Sequence, residues 1–140
     1  MTFWDSSAIV PLLAEEDRTD AAIARARQDA ELAVWWGTPV ECASALARLE
    51  REGAPADRVT AAFARLDDLA QSWTEVEPHE DIREVARRLL RVHPLRAADA
   101  LQLAAAYLVS ERSPQTLPVI TVDERVRVAA LKEGFQAPRL

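Results

Sequence analysis

The chain has 140 residues, 49% of them hydrophobic and 29% charged, which suits one globular domain over residues 1–140 and excludes a disordered or fibrous chain. Its 17 basic and 23 acidic residues leave a net charge of −6, so nucleic-acid binding by bulk positive charge is excluded. One cysteine, two histidines and three scattered glycines (Gly37, Gly53, Gly134) remove internal disulfides, cysteine or histidine metal cages and glycine-rich phosphate loops, leaving oxygen ligands for any chemistry.

Thr2–Trp4 reads as a first short strand, and Asp5-Ser6-Ser7 leads into a helix predicted to run through Glu15. A second helix is expected from Asp17 to Asp29, with Ala22 and Ala26 on one face. The apolar run Leu32-Ala33-Val34-Trp35-Trp36, closed by Gly37, suits a buried parallel strand. Thr38-Pro39 opens a helix that Gly53 stops, and Ala54-Pro55 starts another to about Gln71. Trp73 to Val76 is a strand ended by Pro78, and Glu80 to Val92 is an amphipathic helix broken by His93-Pro94. Ala97 to Ser110 is helical and apolar nearly all round, hence central. Pro118 to Val122 is a strand, Asp123 to Glu133 a helix, and Phe135 starts a short edge strand. Such alternation predicts a three-layer α/β/α domain around a mainly parallel sheet of four to five short strands. No stretch is long enough to cross a bilayer and no leader pattern opens the chain, so a cytoplasmic protein is expected.

In open parallel sheets, ligands bind outside the carboxyl ends of the strands. Four acids fall there: Asp5 after the first strand, Glu41 in the helix turn after the second, Asp99 at the start of the apolar helix, and Asp123 after the last strand. Each has a plain structural alternative. Asp5 suits a helix cap, Thr38-Pro39-Val40-Glu41 and Thr121-Val122-Asp123-Glu124 fit capping boxes, and Asp99 gains from a helix dipole. Caps do not require four acids on one sheet edge, however, whereas Mg²⁺ or Mn²⁺ prefers such oxygen donors. Asp99, in the most apolar helix, is expected to be the most buried, so that metal-free Asp99→Asn melts above wild type.

The string Phe3-Trp4-Asp5-Ser6-Ser7-Ala8-Ile9-Val10 resembles the opening of a PIN domain. Thr38-Pro39-Val40-Glu41 with Ser44-Ala45-Leu46, then Arg96-Ala97-Ala98-Asp99-Ala100-Leu101-Gln102-Leu103-Ala104, and Thr121-Val122-Asp123-Glu124-Arg125 resemble its three later acidic motifs, in order and spacing. Phe3-Trp4 departs from the family's aliphatic first strand. The pattern is most similar to VapC-type toxins of bacterial toxin–antitoxin pairs. That resemblance implies a metal-dependent endoribonuclease in which Asp5, Glu41, Asp99 and Asp123 hold Mg²⁺ or Mn²⁺. It further implies an RNA substrate, a cognate antitoxin and a homodimer. Ser6 and Thr121 would orient carboxylates or water, and Arg96 would meet substrate or steady the acids.

Other residues read more plainly. Arg83, Arg87 and Arg91 form a basic stripe that suits a solvated face beside a Glu84–Arg88 pair better than a phosphate guide. His79 and His93 read as structural, and Cys42 as an inert buried thiol. Trp35 and Trp36 read as core and edge packing, with Trp36 beside Gly37 placed for exposure near the site. The competing function is a non-catalytic α/β protein-binding module whose strand-end acids are only caps.

Overall fold

The computed structural model describes residues 1–140. Strands and helices alternate as the pattern demands: β1 (Thr2–Trp4), α1 (Ser6–Leu13), α2 (Thr19–Gln28), β2 (Leu32–Trp35), α3 (Thr38–Arg51), α4 (Ala56–Ala70), β3 (Thr74–Val76), α5 (Glu80–Val92), α6 (Ala97–Val109), β4 (Val119–Ile120) and α7 (Glu124–Lys132). The four strands make one parallel sheet in the order β3-β2-β1-β4. Phe135 starts no fifth strand; only an isolated parallel bridge joins Pro118 and Gln136.

Side chains alternate across a strand, and here both faces are buried. Phe3, Ala33 and Val119 enter a core shared with α5, α6 and α7. Their neighbours Trp4, Val34 and Ile120 enter a second core with α1 to α4. The result is the expected three layers, with β1 flanked on both sides. Its Phe3-Trp4 pair fits because the buried Trp4 indole N–H donates to Asp29 Oδ2 at 2.9 Å. Asp29 also takes the Thr2 hydroxyl at 3.0 Å and pairs with Arg25 at 3.2 Å.

Helix ends differ from expectation where a side chain ties the turn. The first helix stops at Leu13 and the second starts at Thr19. Between them, Thr19 Oγ1 donates to Pro11 O at 2.8 Å and accepts from Glu16 N at 2.9 Å. No helix is long and apolar enough to cross a membrane.

Gly37 links β2 to α3 with ordinary helical dihedrals, so it is glycine for want of space. A Cβ there would lie 2.6 Å from Trp35 Nε1 and 3.0 Å from Trp35 Cδ1. Gly37→Ala must displace a core-packed indole and is expected to lower stability by about 1–3 kcal/mol, the usual cost of overpacking. An unchanged midpoint in denaturant would show that Trp35 yields freely.

Candidate active site

Because the sheet is parallel, the carboxyl ends of all four strands lie on one edge, and the predicted acids gather there. Asp5 follows β1 at the N-cap position of α1, yet its side chain caps no backbone N–H. Instead its Oδ2 accepts from Ser7 Oγ at 2.5 Å and from Thr121 Oγ1 at 2.7 Å. Those hydroxyls are themselves held, Ser7 Oγ accepting from Val122 N and Thr121 Oγ1 from Asp123 N, each at 3.1 Å. Asp5 is 4% exposed and has no cationic partner. Burial pushes its carboxyl up to about 6, against the two hydroxyl bonds and reinforced by the negative charges of Glu41 and Asp99.

Glu41 is not part of a capping box either. Gly37 occupies the N-cap position and Thr38 is already helical, with no side-chain cap bond. Thr38 Oγ1 accepts from Gln102 Nε2 at 3.1 Å. The same Nε2 donates to Glu41 Oε2 at 3.2 Å, and Ser6 Oγ donates to that oxygen at 2.7 Å. Gln102 is 1% exposed, and its Oε1 is a buried polar atom with no partner. The reversed amide would set that oxygen against the Glu41 carboxylate, so the orientation follows from charge.

The other two acids do cap. Asp99 Oδ2 accepts from Arg96 N at 3.1 Å. Asp123 Oδ1 accepts from Arg125 N at 2.9 Å and Val126 N at 3.4 Å. The Arg125 guanidinium lies 3.4 Å from Asp123 and 4.0 Å from Asp99. The expectation that Asp99 is the most buried acid is therefore corrected. Its side chain is 20% exposed, because a first-turn residue can face the helix end rather than the apolar barrel. Asp5, at the end of a strand paired on both sides, is the buried one.

Ser6 and Thr121 bond the acids they were expected to orient. Arg96 meets Asp99 through its backbone N–H alone. Ser7, Gln102 and Arg125 were not singled out from sequence. Gln102, three residues after Asp99, shares a face of α6 with it, and a polar residue in that apolar helix was the available signal. Cys42 is buried as expected, and that burial, with Glu41 and Asp5 adding negative charge, pushes its thiol up to about 12, away from the reactive thiolate. His79 caps α5 by accepting from Asp81 N, and buried His93 bonds Glu133 at 2.7 Å. Arg88 pairs with Glu133 rather than Glu84. Burial alone would raise the Glu133 carboxyl, but Arg88 and His93 outweigh it and hold it low.

No three histidine, cysteine or carboxylate groups close on one point as a ready-made metal cage. The donor set nevertheless fits a hydrated hard divalent ion. Magnesium keeps several waters and takes one or two carboxylates rather than a full protein cage. A buried carboxylate without a cation, next to two further acids, is what such an ion would relieve.

A family model described as PIN domain matches residues 2–132. Among solved structures, the fold is similar to PAE2754 from Pyrobaculum aerophilum, with a TM-score of 0.68, 23% identity, and 97% of this chain and 89% of that chain covered. It is also similar to VapBC-1 from nontypeable Haemophilus influenzae, with a TM-score of 0.63, 13% identity, and 99% and 96% covered. No curated protein matches the sequence.

Proposed function

The chain belongs to the PIN-domain family, whose members are generally nucleases, and from that premise we propose that it is a divalent-metal-dependent endoribonuclease. The observation that supports this best is Asp5. A cap or ion pair would explain a strand-end acid, and Asp5 has neither. The competing reading, a binding module whose acids are only caps, accounts for Asp99 and Asp123 and leaves Asp5 and Glu41 unexplained.

Asp5, Glu41, Asp99 and Asp123 would hold Mg²⁺ or Mn²⁺. Bound there, the ion supplies a nucleophile from water and stabilises charge on the phosphoryl group. The chain's own residues prepare that site. Ser7 and Thr121 fix the Asp5 carboxylate and leave its Oδ1 free of side-chain donors. Ser6 and Gln102 fix Glu41 through one oxygen. Arg125, half-exposed between Asp99 and Asp123, balances their charge and offers guanidinium donors to a phosphate.

We further propose that the nuclease is the toxin of a toxin–antitoxin pair, acting in the cytoplasm as a homodimer. The motif resemblance to VapC-type toxins supports this, as does the likeness in fold to VapBC-1. A cleft of about 410 Å³ among α1, α3 and α4, with Leu46, Leu49, Val59 and Ala62 in its lining beside Glu15, Asp57, Arg58 and Arg65, would receive an amphipathic antitoxin segment.

Purified protein incubated with mixed cellular RNA should produce defined new ends in Mn²⁺ and none in chelator. Intact RNA in both conditions would overturn the nuclease reading. Expression of the chain alone should slow growth, and co-expression of the neighbouring small open reading frame should restore it. Normal growth despite abundant soluble protein would reject the toxin role and leave the nuclease standing.

A further inference from the structure

The carboxyl edge of the sheet does not end at the acids. The β2 strand, paired directly with β1, finishes in Trp35 and Trp36, and their surroundings are unlike the rest of the surface. The Trp36 indole is 55% exposed, although its backbone N–H is tied to Val76 O at 3.0 Å. Its ring meets Trp35 edge to face, with centroids 6.5 Å apart and planes at 69°. Together with Pro78, His79, Glu80, Ile82, Arg83 and Leu101 the two indoles line a cavity of about 340 Å³. That volume lies at the small end of ligand-sized sites, about 300–1,000 Å³.

The cavity is mainly apolar, with a few polar groups on its rim. Buried indole N–H groups normally find a partner, and here Trp4 and Trp73 donate to Asp29 and Glu75. Trp35 Nε1–H donates to no group of the chain and is not a buried orphan, so it is open to solvent. His79 accepts from Asp81 N through Nδ1, which leaves Nε2–H as its donor in the neutral ring. Arg83 is 76% exposed and held only by an exposed Glu80 at 3.6 Å, a pair of little strength. It is also the first residue of an exposed basic stripe continued by Arg87 and Arg91.

The cavity opens on the same edge of the sheet as the acids: Trp36 follows the carboxyl end of β2 as Asp5 follows that of β1, and Leu101 lines it from α6. An occupant would need a flat π surface, hydrogen-bond acceptors on its rim and a negative group towards Arg83. An unstacked nucleobase with its phosphate has all three; an apolar peptide segment supplies no anion. We propose that the pocket around Trp36 binds one base of a single-stranded RNA, stacked on the Trp36 indole, next to the scissile phosphate. This rests on the nuclease reading and adds to it how the substrate is held: unpaired, with one base flattened on the protein beside the cut.

The test is fluorescence anisotropy with a labelled single-stranded RNA decamer in chelator, paired with cleavage of the same decamer in Mn²⁺. Trp36→Ala is expected to weaken binding roughly 5- to 150-fold, the cost of losing one stacked base. Trp36→Phe should recover most of that loss, because stacking needs a ring rather than an indole. Arg83→Ala should weaken binding and reduce its salt dependence by about one phosphate contact. A duplex of the same sequence should bind equally weakly to all four proteins. Since Trp36 is exposed, its variants should match wild type in thermal melts. Single-stranded binding that ignores Trp36→Ala, or tighter binding of the duplex, overturns the pocket and returns the patch to a protein partner. Cleavage by wild type is read separately: an RNA bound through Trp36 but never cut would reject the nuclease reading and keep the base site.

Discussion

Replacing Asp5 with asparagine is expected to slow metal-dependent RNA cleavage by at least about a hundredfold, the scale of losing a charged ligand or metal position. The substitution keeps shape and size. Asparagine Oδ1 can accept from Ser7 and Thr121 as the carboxylate Oδ2 does, so the turn between β1 and α1 has no reason to move. What disappears is a negative charge at the end of a strand flanked on both sides, where Glu41 and Asp99 act on the same space. A structural role predicts a small change in rate. Single-turnover cleavage at saturating Mg²⁺ separates the two, and Asp5→Asn cutting RNA as wild type does would remove Asp5 from the site. Mn²⁺ titration by calorimetry should show the same loss without relying on turnover.

The same variant should be more stable than wild type when metal is absent. In the unfolded chain the Asp5 carboxyl titrates at its ordinary 3.8, and burial moves it to about 6 in the folded protein. Below about pH 3 both states hold the proton and the group costs nothing. Between about pH 4 and 6 the unfolded state releases it while the folded state keeps it, so stability falls as pH rises. Well above pH 6 the folded chain holds a desolvated carboxylate, and about 3 kcal/mol has been lost relative to about pH 3. Glu133 has the opposite shift, its stabilising effect being lost as pH falls into the carboxylate range. The difference between variant and wild type isolates Asp5. In chelator, Asp5→Asn should gain about 3 kcal/mol on wild type between about pH 3 and pH 8, or roughly 6–12 °C in melting midpoint. Adding Mg²⁺ at ten times its dissociation constant should raise wild type by about 1.4 kcal/mol and the variant by much less. A variant less stable than wild type at pH 8, with neither protein responding to Mg²⁺, would mean that Asp5 only holds the turn.

Asp99 should give the opposite sign. Its carboxylate closes the start of α6 and lies beside Arg125; metal-free Asp99→Asn keeps the bond from Arg96 N but loses the charge at the helix start, and is expected to lose about 0.3–1 kcal/mol. That reverses the order expected from the sequence, where the apolar composition of α6 stood in for burial. Composition reports how much of a helix is covered. It does not report which way a first-turn side chain faces.

Element type and order were legible in the residues themselves, because apolar period and turn chemistry are local. The apolar run closed by Gly37 marked β2, the stretch from Trp73 to Val76 before Pro78 marked β3, and His93-Pro94 ended α5. The placement of Asp5, Glu41 and Asp123 on one edge was legible too, since parallel strands send every carboxyl end the same way; Asp99 opens a helix that follows another helix, and only the tertiary structure brings it beside Asp5 and Arg125. What each acid does there was not legible. Asp5 is held by Thr121, 116 positions away, and Glu41 by Gln102, 61 positions away. Four acids at helix starts look alike in sequence, yet only Asp99 and Asp123 cap. A cap is a contact with the next turn of the same chain, and it forms unless something nearer competes. For Asp5 and Glu41 the competitors are hydroxyl and amide donors: Ser7 lies in the adjoining turn, but Thr121, Ser6 and Gln102 come from distant segments that only the tertiary fold brings within reach.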